Sequence, residues 1–227
     1  MQLRQNPPRA RPRPPAALRH AAFTQIYHSR LQIEAAPVPP AKREPVILNV
    51  GHIAWRKGQA VLAEAFARIA PRHPGWTLQL AGADADGVAL EQILRITREQ
   101  QLDGRILLLG ERNDTVQLMN QAAVFVQPSF NEGLPLALQE ALYNGCACVA
   151  TRIPGNIELI EHEFNGLLVP PGSPEELSRA LDRLLGEKGL RDRLAANGPA
   201  SILKKEMTAA QMTRKHLELY ATVLTEA

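Results

Sequence analysis

The sequence predicts an α/β fold in which helices cover both faces of a doubly wound, Rossmann-like parallel sheet. From Pro45 onward, short apolar runs alternate with longer amphipathic runs, which is typical of repeated βα units. The short runs are almost continuously apolar, as expected for strands that are buried on both faces. With 227 residues, of which 45% are hydrophobic, the chain is long enough for one large domain with its own core.

The strands are predicted from runs rich in Leu and β-branched residues, at 46–50, 77–81, 106–109, 124–127, 146–150 and 167–169. The amphipathic runs predict helices at 58–71, 88–101, 114–121, 134–144, 155–161 and 174–186. Ser173 followed by Pro174 marks the start of the last of these helices. Asn113 or Asp114 is expected to cap the helix near 114.

The two ends of the chain differ from the expected domain at 45–200. Residues 1–44 are rich in Pro and Arg, so we expect a disordered leader. Two interpretations of this leader stay open: an arm that contacts an anionic membrane surface, or sequence that is not a natural part of the protein. In the segment 201–227, apolar residues recur among charged ones over 201–224, which predicts a long C-terminal amphipathic helix.

The charge is distributed unevenly between these parts. Residues 1–44 hold eight basic and two acidic residues, a net charge of +6, whereas the whole chain carries only +3. The remainder is therefore at −3, so the expected domain is mildly acidic. This balance argues against a nucleic-acid partner.

The composition gives no sign of export. The chain has no apolar run of about 18 residues and no apolar signal at its start, so we expect a cytoplasmic protein. A location at the inner face of the membrane stays open. Cys146 and Cys148 lie within a predicted strand, where we expect opposite-facing side chains and neither a disulfide nor a metal site.

The loop after the first predicted strand runs from Gly51 to Gly58 and contains Arg56 and Lys57. In open α/β sheets, ligands bind beyond the carboxyl ends of the strands. A cation beside the free amides of a helix start suits a phosphate group. The loop lacks the spacing of a P-loop or of a dinucleotide-binding motif. Taken alone, it fits solvated cations at a helix start better than a binding site.

Two carboxylates follow the fourth predicted strand. Glu132 lies in the loop, and Glu140 lies on the next helix, whose first turn suits Pro135. Because the apolar side chains of this helix face the core, both carboxylates can face a cleft. A carboxylate accepts two hydrogen bonds and so binds sugar or ribose hydroxyls well. Each Glu taken alone fits an ordinary surface position better than a binding site.

Together these segments resemble the group 1 (family 4) domain of retaining glycosyltransferases with the GT-B fold. The resemblance covers residues 46–186, and the spacing Glu-x7-Glu at Glu132 and Glu140 is its most specific element. It implies a single GT-B half-domain, the one that binds the nucleotide sugar, followed by a long C-terminal helix. The other matching positions are Val50-Gly51, Lys57-Gly58, Leu109-Gly110, Val126, Pro128-Ser129, Gly145, Val149-Ala150-Thr151, Pro154-Gly155-Asn156, Glu158-Leu159-Ile160 and Asn165-Gly166-Leu167-Leu168-Val169.

The resemblance also implies roles for individual residues in transferring a hexosyl group from a nucleoside-diphosphate sugar. Lys57 and Glu132 would be catalytic: Lys57 neutralises the departing diphosphate, and Glu132 holds hydroxyls of the donor sugar. Glu140 would hold the ribose diol. The other substrate-binding residues would be Gly51, His52, Arg56, Glu111, Arg112, Gly133, Leu134 and Pro135, with the amides of Gly133 and Leu134 on the diphosphate and Glu111 and Arg112 near the base.

His52 departs from the family pattern, which commonly has Arg directly after the first-loop glycine. A neutral imidazole donates one hydrogen bond but lacks a fixed charge and a bidentate fork. Arg56, which precedes Lys57, is a candidate to compensate.

Asp84 and Asp86 form an Asp-x-Asp pair, which in the GT-A glycosyltransferase fold binds a divalent metal. Here the pair lies between Gly82 and Gly87, so turn chemistry explains both acids. We therefore expect no metal and no other cofactor.

GT-B transferases have two Rossmann-like domains, and the amino-terminal one binds most of the acceptor. The 44-residue leader is too short for a second sheet, so we expect the chain to be inactive without an acceptor domain or chain as its partner. One alternative is a non-catalytic nucleotide-sugar-binding module. Another is a different GT-B enzyme such as a sugar-nucleotide epimerase, but those families lack the Glu-Gly-Leu-x5-Glu arrangement.

Overall fold

The computed structural model describes Ile26, Ser29, Leu31 and residues 38–225. Within these residues, the centre of the molecule is a six-stranded parallel sheet with helices on both sides, which confirms the predicted fold class. Every strand lies within about two residues of its predicted bounds. The strands are β1 (Glu44–Val50), β2 (Thr77–Ala81), β3 (Ile106–Gly110), β4 (Ala122–Gln127), β5 (Ala147–Thr151) and β6 (Gly166–Val169).

The sheet is doubly wound, with the strand order β3-β2-β1-β4-β5-β6. Ile47 on β1 pairs with Leu78 on β2 and with Val124 on β4, so β1 is central. The chain winds outward from β1 to β3 and then returns to β4 on the other side of β1. In such sheets, ligands bind beyond the carboxyl ends of the strands at the point where the winding reverses, here between β1 and β4.

The six predicted helices are all present, and two further features of the carboxyl-terminal part differ from the prediction. The helices are α1 (Gln59–Ile69), α2 (Val88–Glu99), α3 (Thr115–Gln121), α4 (Leu136–Tyr143), α5 (Pro154–Ile157), α6 (Pro174–Gly186), α7 (Lys188–Lys204) and α8 (Ala209–Thr225). Helix α7 was not predicted. The C-terminal helix begins at Ala209 instead of residue 201 because residues 201–204 belong to α7.

Tertiary packing explains why the sequence pattern did not predict α7. It contains Gly198 and Pro199, two residue types that usually interrupt helices. A Cβ atom at Gly198 would lie 2.4 Å from the carbonyl oxygen of Leu142 on α4. The absence of a side chain at this position therefore lets α7 pack directly on the backbone of α4.

The helix caps differ in how well the sequence predicted them. The hydroxyl of Ser173 accepts a hydrogen bond from the amide of Glu176, which confirms the predicted start of α6. Asp114 precedes α3 as expected, but its carboxylate makes no capping bond to that helix. Instead it accepts two hydrogen bonds from Arg112, so Asp114 occupies the predicted N-cap position but its side chain does not cap the helix.

Each face of the sheet carries its own hydrophobic core. Ile47 and Leu48 are neighbours on β1 and are both fully buried, because alternate side chains of a strand point to opposite faces. Ile47 packs into the cluster formed with α1, α2 and α6, whereas Leu48 packs into the cluster formed with α3, α4 and α7.

The second core also includes part of the segment that was expected to be a separate leader. Ser29 and Leu31 are only 3% and 5% exposed. The hydroxyl of Ser29 lies 2.9 Å from both Gln139 Oε1 and the carbonyl oxygen of Met207. The amide of Ala209 donates to the carbonyl of Leu31. These two residues therefore belong to the packed domain, while most of the expected leader lies outside the described residues.

Cys146 and Cys148 are free, fully buried thiols. Both pack in the same core cluster, so the prediction that they face opposite sides was wrong: residues two apart on a strand share a face. Burial raises the pKa of Cys146 to about 11 and raises that of Cys148 well above its ordinary value.

Helix α8 is amphipathic, as predicted, but none of its described side chains is buried. Leu217, Tyr220 and Leu224 are more than half exposed. None of the helices in the described part of the chain has the length and apolar character that crossing a membrane requires.

Candidate functional site

A pocket of about 620 Å³ opens at the carboxyl edge of the sheet, over the point where the winding reverses. The loops after β1, β2, β3 and β4 line it, together with the first residues of α4. All the predicted site residues except Gly133 contribute to its wall. They are Gly51, His52, Arg56, Lys57, Glu111, Arg112, Glu132, Leu134, Pro135 and Glu140.

Gly58 brings the loop after β1 against the loop after β4. It has a left-handed φ of 71°, and a Cβ atom here would lie 2.2 Å from the carbonyl oxygen of Pro128. Both its conformation and the lack of space therefore favour glycine. Just before it, the residues Trp55–Lys57 form a single 3-10 turn that directs Lys57 towards the second loop.

Two further contacts join these loops. The amide of Phe130 donates to the carbonyl of Arg56 at 2.9 Å. The rings of Trp55 and Phe130 stack with their centroids 5.0 Å apart and with an interplanar angle of 6°. Lys57 and Glu132 each lie two residues beyond a ring of this stack, so the same contacts hold the two predicted catalytic residues close together.

Lys57 and Glu132 form an ion pair at the base of the pocket. The distance from Lys57 Nζ to Glu132 Oε1 is 2.7 Å, and the two side chains are 19% and 10% exposed. Two neutral groups donate to the same carboxylate oxygen: Gln127 Nε2 at 2.9 Å and Ser129 Oγ at 2.7 Å. The sequence pattern predicted the two charged residues as catalytic, but it predicted neither their contact nor the two neutral donors.

A signal for Gln127 was present in the sequence. It is the last residue of β4, whose other residues are apolar, and it is only 3% exposed. A buried polar residue at the carboxyl end of a central strand lies where such folds bind ligands. Gln127 was therefore recognisable as a site candidate, whereas Ser129 lay unremarked within the Pro128-Ser129 segment.

The end of β5 and the start of α5 support the loop that carries Glu132. A Cβ atom at Gly155 would lie 2.0 Å from the carbonyl oxygen of Gly133, so the two backbones are in direct contact. The hydroxyl of Thr151 donates to the carbonyl of Ser129 at 2.6 Å. Gly133 itself is exposed and lies beside the pocket lining.

Helix α4 presents its amino-terminal end and one face to the pocket. Leu136 and Ala137, its first two residues, line the wall, and Glu140 lies one turn further along. Leu138 and Ala141 are fully buried on the other face. This arrangement confirms that Glu140 faces a cleft, and it directs the positive end of the helix dipole at the pocket.

Arg112 lies at the end of the pocket formed by the loop after β3. Its guanidinium donates to both carboxylate oxygens of Asp114, at 2.8 and 2.5 Å. This pairing raises the pKa of Arg112 and lowers the pKa of Asp114. The guanidinium fork is thus already occupied by a carboxylate, while Glu111 is exposed beside it.

Asp84 and Asp86 form hydrogen bonds to backbone amides, as turn chemistry predicts. Asp84 Oδ1 accepts from Gly87, whereas Asp86 accepts from Val88 and Ala89 at the start of α2. Asp86 also accepts from the amide of Trp55 at 2.7 Å, which lowers its pKa. Among the described residues, no three His, Cys, Asp or Glu side chains form a group suited to a metal ion.

A known sequence family matches most of the chain. The sequence model of the family described as "Glycosyl transferases group 1" matches residues 32–201. The lipopolysaccharide core biosynthesis glycosyltransferase LpsE of Rhizobium meliloti is 28% identical over 190 residues, which make up 84% of this chain and 54% of LpsE. The chain thus spans about half the length of that relative.

Solved structures also resemble the chain. Alr3699/HepE of Anabaena, in complex with UDP and glucose, has a TM-score of 0.73 and 25% identity over 81% of this chain and 49% of that one. TarM of S. aureus, in complex with Fondaparinux, alpha-GlcNAc-glycerol and UDP, has a TM-score of 0.76 over 87% of this chain and 39% of that one. At 18% identity, the likeness to TarM is one of fold alone.

Proposed function

This chain belongs to the group 1 glycosyltransferases, and we propose that its pocket binds the nucleoside-diphosphate sugar from which a hexosyl group is transferred with retention of anomeric configuration. The observation that carries this proposal is the ion pair of Lys57 and Glu132 at the carboxyl edge of the sheet, facing the start of α4. A cation, a carboxylate and a helix amino terminus together match a ligand that joins a diphosphate to a polyhydroxylated ring.

The diphosphate binds between Lys57 and the amino terminus of α4. The Lys57 ammonium supplies charge, and the amides of Gly133 and Leu134 and the helix dipole add favourable electrostatics. Arg56 lies on the same wall and adds a second cation, and the His52 imidazole adds one hydrogen bond. When the bond between the sugar and the phosphate oxygen breaks, negative charge grows on the diphosphate, and these groups stabilise it.

The carboxylates bind the hydroxyl-bearing parts of the donor. Glu132 accepts hydrogen bonds from the transferred sugar, and Glu140 accepts them from the ribose. The base lies at the end of the pocket near Glu111 and Arg112, where it contacts the exposed loop after β3. Because Nε and Nη2 of Arg112 are paired with Asp114, its contact with the ligand is through Nη1, its flat face or its aliphatic part.

The similarity to the Anabaena protein, whose structure contains UDP and glucose, favours a uridine nucleotide as the first ligand to test. Since the chain corresponds to 54% of LpsE, we propose that the acceptor is bound by a second domain and that this chain alone binds donor without transferring sugar. A cytoplasmic location and a contact with the membrane surface stay predictions from composition. The absence of a metal stays a prediction from the turn around Asp84 and Asp86.

Isothermal titration calorimetry with UDP-, GDP- and ADP-glucose tests the donor site. We expect binding of one nucleotide series and a large loss of affinity in Lys57→Met. Arg68→Met is a matched control, because Arg68 is a cation on α1 that pairs with the exposed Glu64 and lies outside the pocket. Failure of the wild-type chain to bind any of the three series would overturn the donor-site proposal.

A second experiment tests transfer with an acceptor-binding domain supplied. We expect the product to keep the anomeric configuration of the donor and activity to be lost in Glu132→Gln. Transfer that survives both Glu132→Gln and Lys57→Ala would refute the catalytic assignments. Donor binding without transfer in any reconstituted pair would instead favour a non-catalytic binding module.

A further inference from the structure

The carboxylate of Glu132 is held from one side only. Lys57, Gln127 and Ser129 donate three hydrogen bonds to it, all to Oε1 and all between 2.7 and 2.9 Å. Among the described residues, no hydrogen bond reaches Oε2. Three donors on one oxygen fix both the position of the carboxylate and the direction in which its second oxygen points.

The orientation of the Gln127 amide follows from its neighbours. Its Nε2 donates to Glu132 Oε1 and also to Ser129 Oγ, both at 2.9 Å. Turning the amide over would place its carbonyl oxygen against the carboxylate, and two acceptors repel each other. The amino group of Gln127 therefore faces Glu132.

This orientation leaves the other end of the Gln127 amide without a partner in the described part of the chain. Its Oε1 is buried and accepts no hydrogen bond from any described residue. A buried acceptor of this kind destabilises a fold, and an apolar residue of similar shape would avoid the loss. The folded domain alone thus gives no reason for Gln at this position, whereas the support of Glu132 does.

We propose that Gln127 and Ser129 are positioning residues, which hold Glu132 so that its Oε2 meets a hydroxyl of the transferred sugar. The inference rests on the proposed function of the pocket and concerns its sugar end. Lys57 can move towards a bound diphosphate, and the two neutral donors then keep Oε1 in place. The affinity for the sugar part of the donor, and not for its nucleoside diphosphate, depends on these two residues.

The test compares the dissociation constants of UDP and UDP-glucose, or of the corresponding pair in the series that binds, for the full chain and its variants. In Gln127→Leu and in Ser129→Ala, we expect the constant for the nucleotide sugar to rise by roughly 3- to 10-fold and that for the diphosphate to change by less than about 2-fold. Gln127→Leu should also keep the thermal unfolding midpoint, because it removes the unpartnered oxygen.

Gln139→Leu is the matched control. Gln139 is likewise buried, and its Nε2 also has no hydrogen-bond partner among the residues that the structure describes, but it contacts Ser29 and lies outside the pocket. We expect this variant to leave the ratio of the two constants unchanged. In a Glu132→Ala background, which removes the acceptor that Gln127 and Ser129 hold, Gln127→Leu should have no further effect on sugar affinity, since it acts through Glu132.

The outcomes separate the two proposals. Equal weakening of both ligands, no change in either, or an additive effect in the Glu132→Ala background would overturn the positioning role and leave the donor site standing. Failure of the wild-type chain to bind any nucleotide or nucleotide sugar would overturn both.

Discussion

Lys57 Nζ lies 2.7 Å from Glu132 Oε1, so the two charges proposed for catalysis pair with each other. The pair joins the loops after β1 and β4, on either side of the point where the sheet reverses its winding. In the proposed complex, an arriving diphosphate would compete with Glu132 for the ammonium group. We therefore expect the carboxylate to weaken the binding of the diphosphate and to favour the binding of the sugar.

Lys57→Met should weaken UDP binding by about 10- to 100-fold, because a charged hydrogen bond is lost and Glu132 is left to repel the diphosphate. Adding Glu132→Gln to this variant should restore part of the affinity for UDP but not for UDP-glucose. Titration calorimetry of the four proteins measures both effects. If the double variant binds UDP more weakly than Lys57→Met does, the proposed repulsion is wrong.

Gly155→Ala should lower the free energy of unfolding by about 2 kcal/mol or more, because the new Cβ atom would lie 2.0 Å from the carbonyl oxygen of Gly133. It should also weaken sugar binding, since it displaces the loop that carries Glu132. Gly189→Ala is the control: it lies in α7 with nothing within 4 Å, and we expect it to stabilise the protein by about 0.5 to 1 kcal/mol. Urea unfolding monitored by circular dichroism measures both changes. Equal stabilities for the two variants would contradict the close packing of Gly155 on the backbone of Gly133.

Arg43→Met should destabilise the fold without changing donor affinity. The guanidinium of Arg43 donates to the carbonyls of Met119, Ala122 and Asn144 near the edge of the sheet opposite the pocket. Leaving these carbonyls without a charged donor is expected to cost on the order of 3 kcal/mol. Lys42→Met, at an exposed neighbouring position, is the control and should have little effect. Urea unfolding measures the stability, and UDP binding is the second readout. A loss of UDP affinity under conditions where Arg43→Met remains folded would show that the Arg43 contacts also affect the pocket, and would refute this prediction.

The hydrophobic pattern was sufficient to predict the strands, since buried parallel strands leave almost continuously apolar runs such as residues 46–50, in which Asn49 is the one polar residue. It was also sufficient to place Lys57 and Glu132 at one edge, because parallel strands end at the same edge. It could not reveal that these residues touch, because the contact depends on the close approach of Gly58 to Pro128. Helix α7 and the docking of Ser29 were missed for the same reason: long-range packing on α4 decides both.

The buried thiols should make stability fall at alkaline pH. Their pKa values are raised by burial, that of Cys146 to about 11, so between about pH 9 and 11 the unfolded chain loses thiol protons that the folded protein keeps. The free energy of unfolding should therefore decrease over this range, and less steeply in Cys146→Ala/Cys148→Ala. Lys and Tyr also titrate there, so the difference between the two proteins is the quantity to measure. If the free energy of unfolding fell equally steeply with pH in the wild type and in the double variant, the raised pKa values would be contradicted.

Donor binding should not require a divalent metal. The carboxylates of Asp84 and Asp86 already accept backbone amides, and Asp86 connects the turn at Trp55 to the start of α2. We expect the dissociation constant of the nucleotide sugar to be the same with EDTA as with Mg²⁺ or Mn²⁺. Asp84→Asn should likewise keep it, since an amide oxygen can still accept from Gly87. The decisive contrary result would be tighter binding with Mg²⁺ that disappears in Asp84→Asn, because only a metal ligand would couple that carboxylate to the diphosphate.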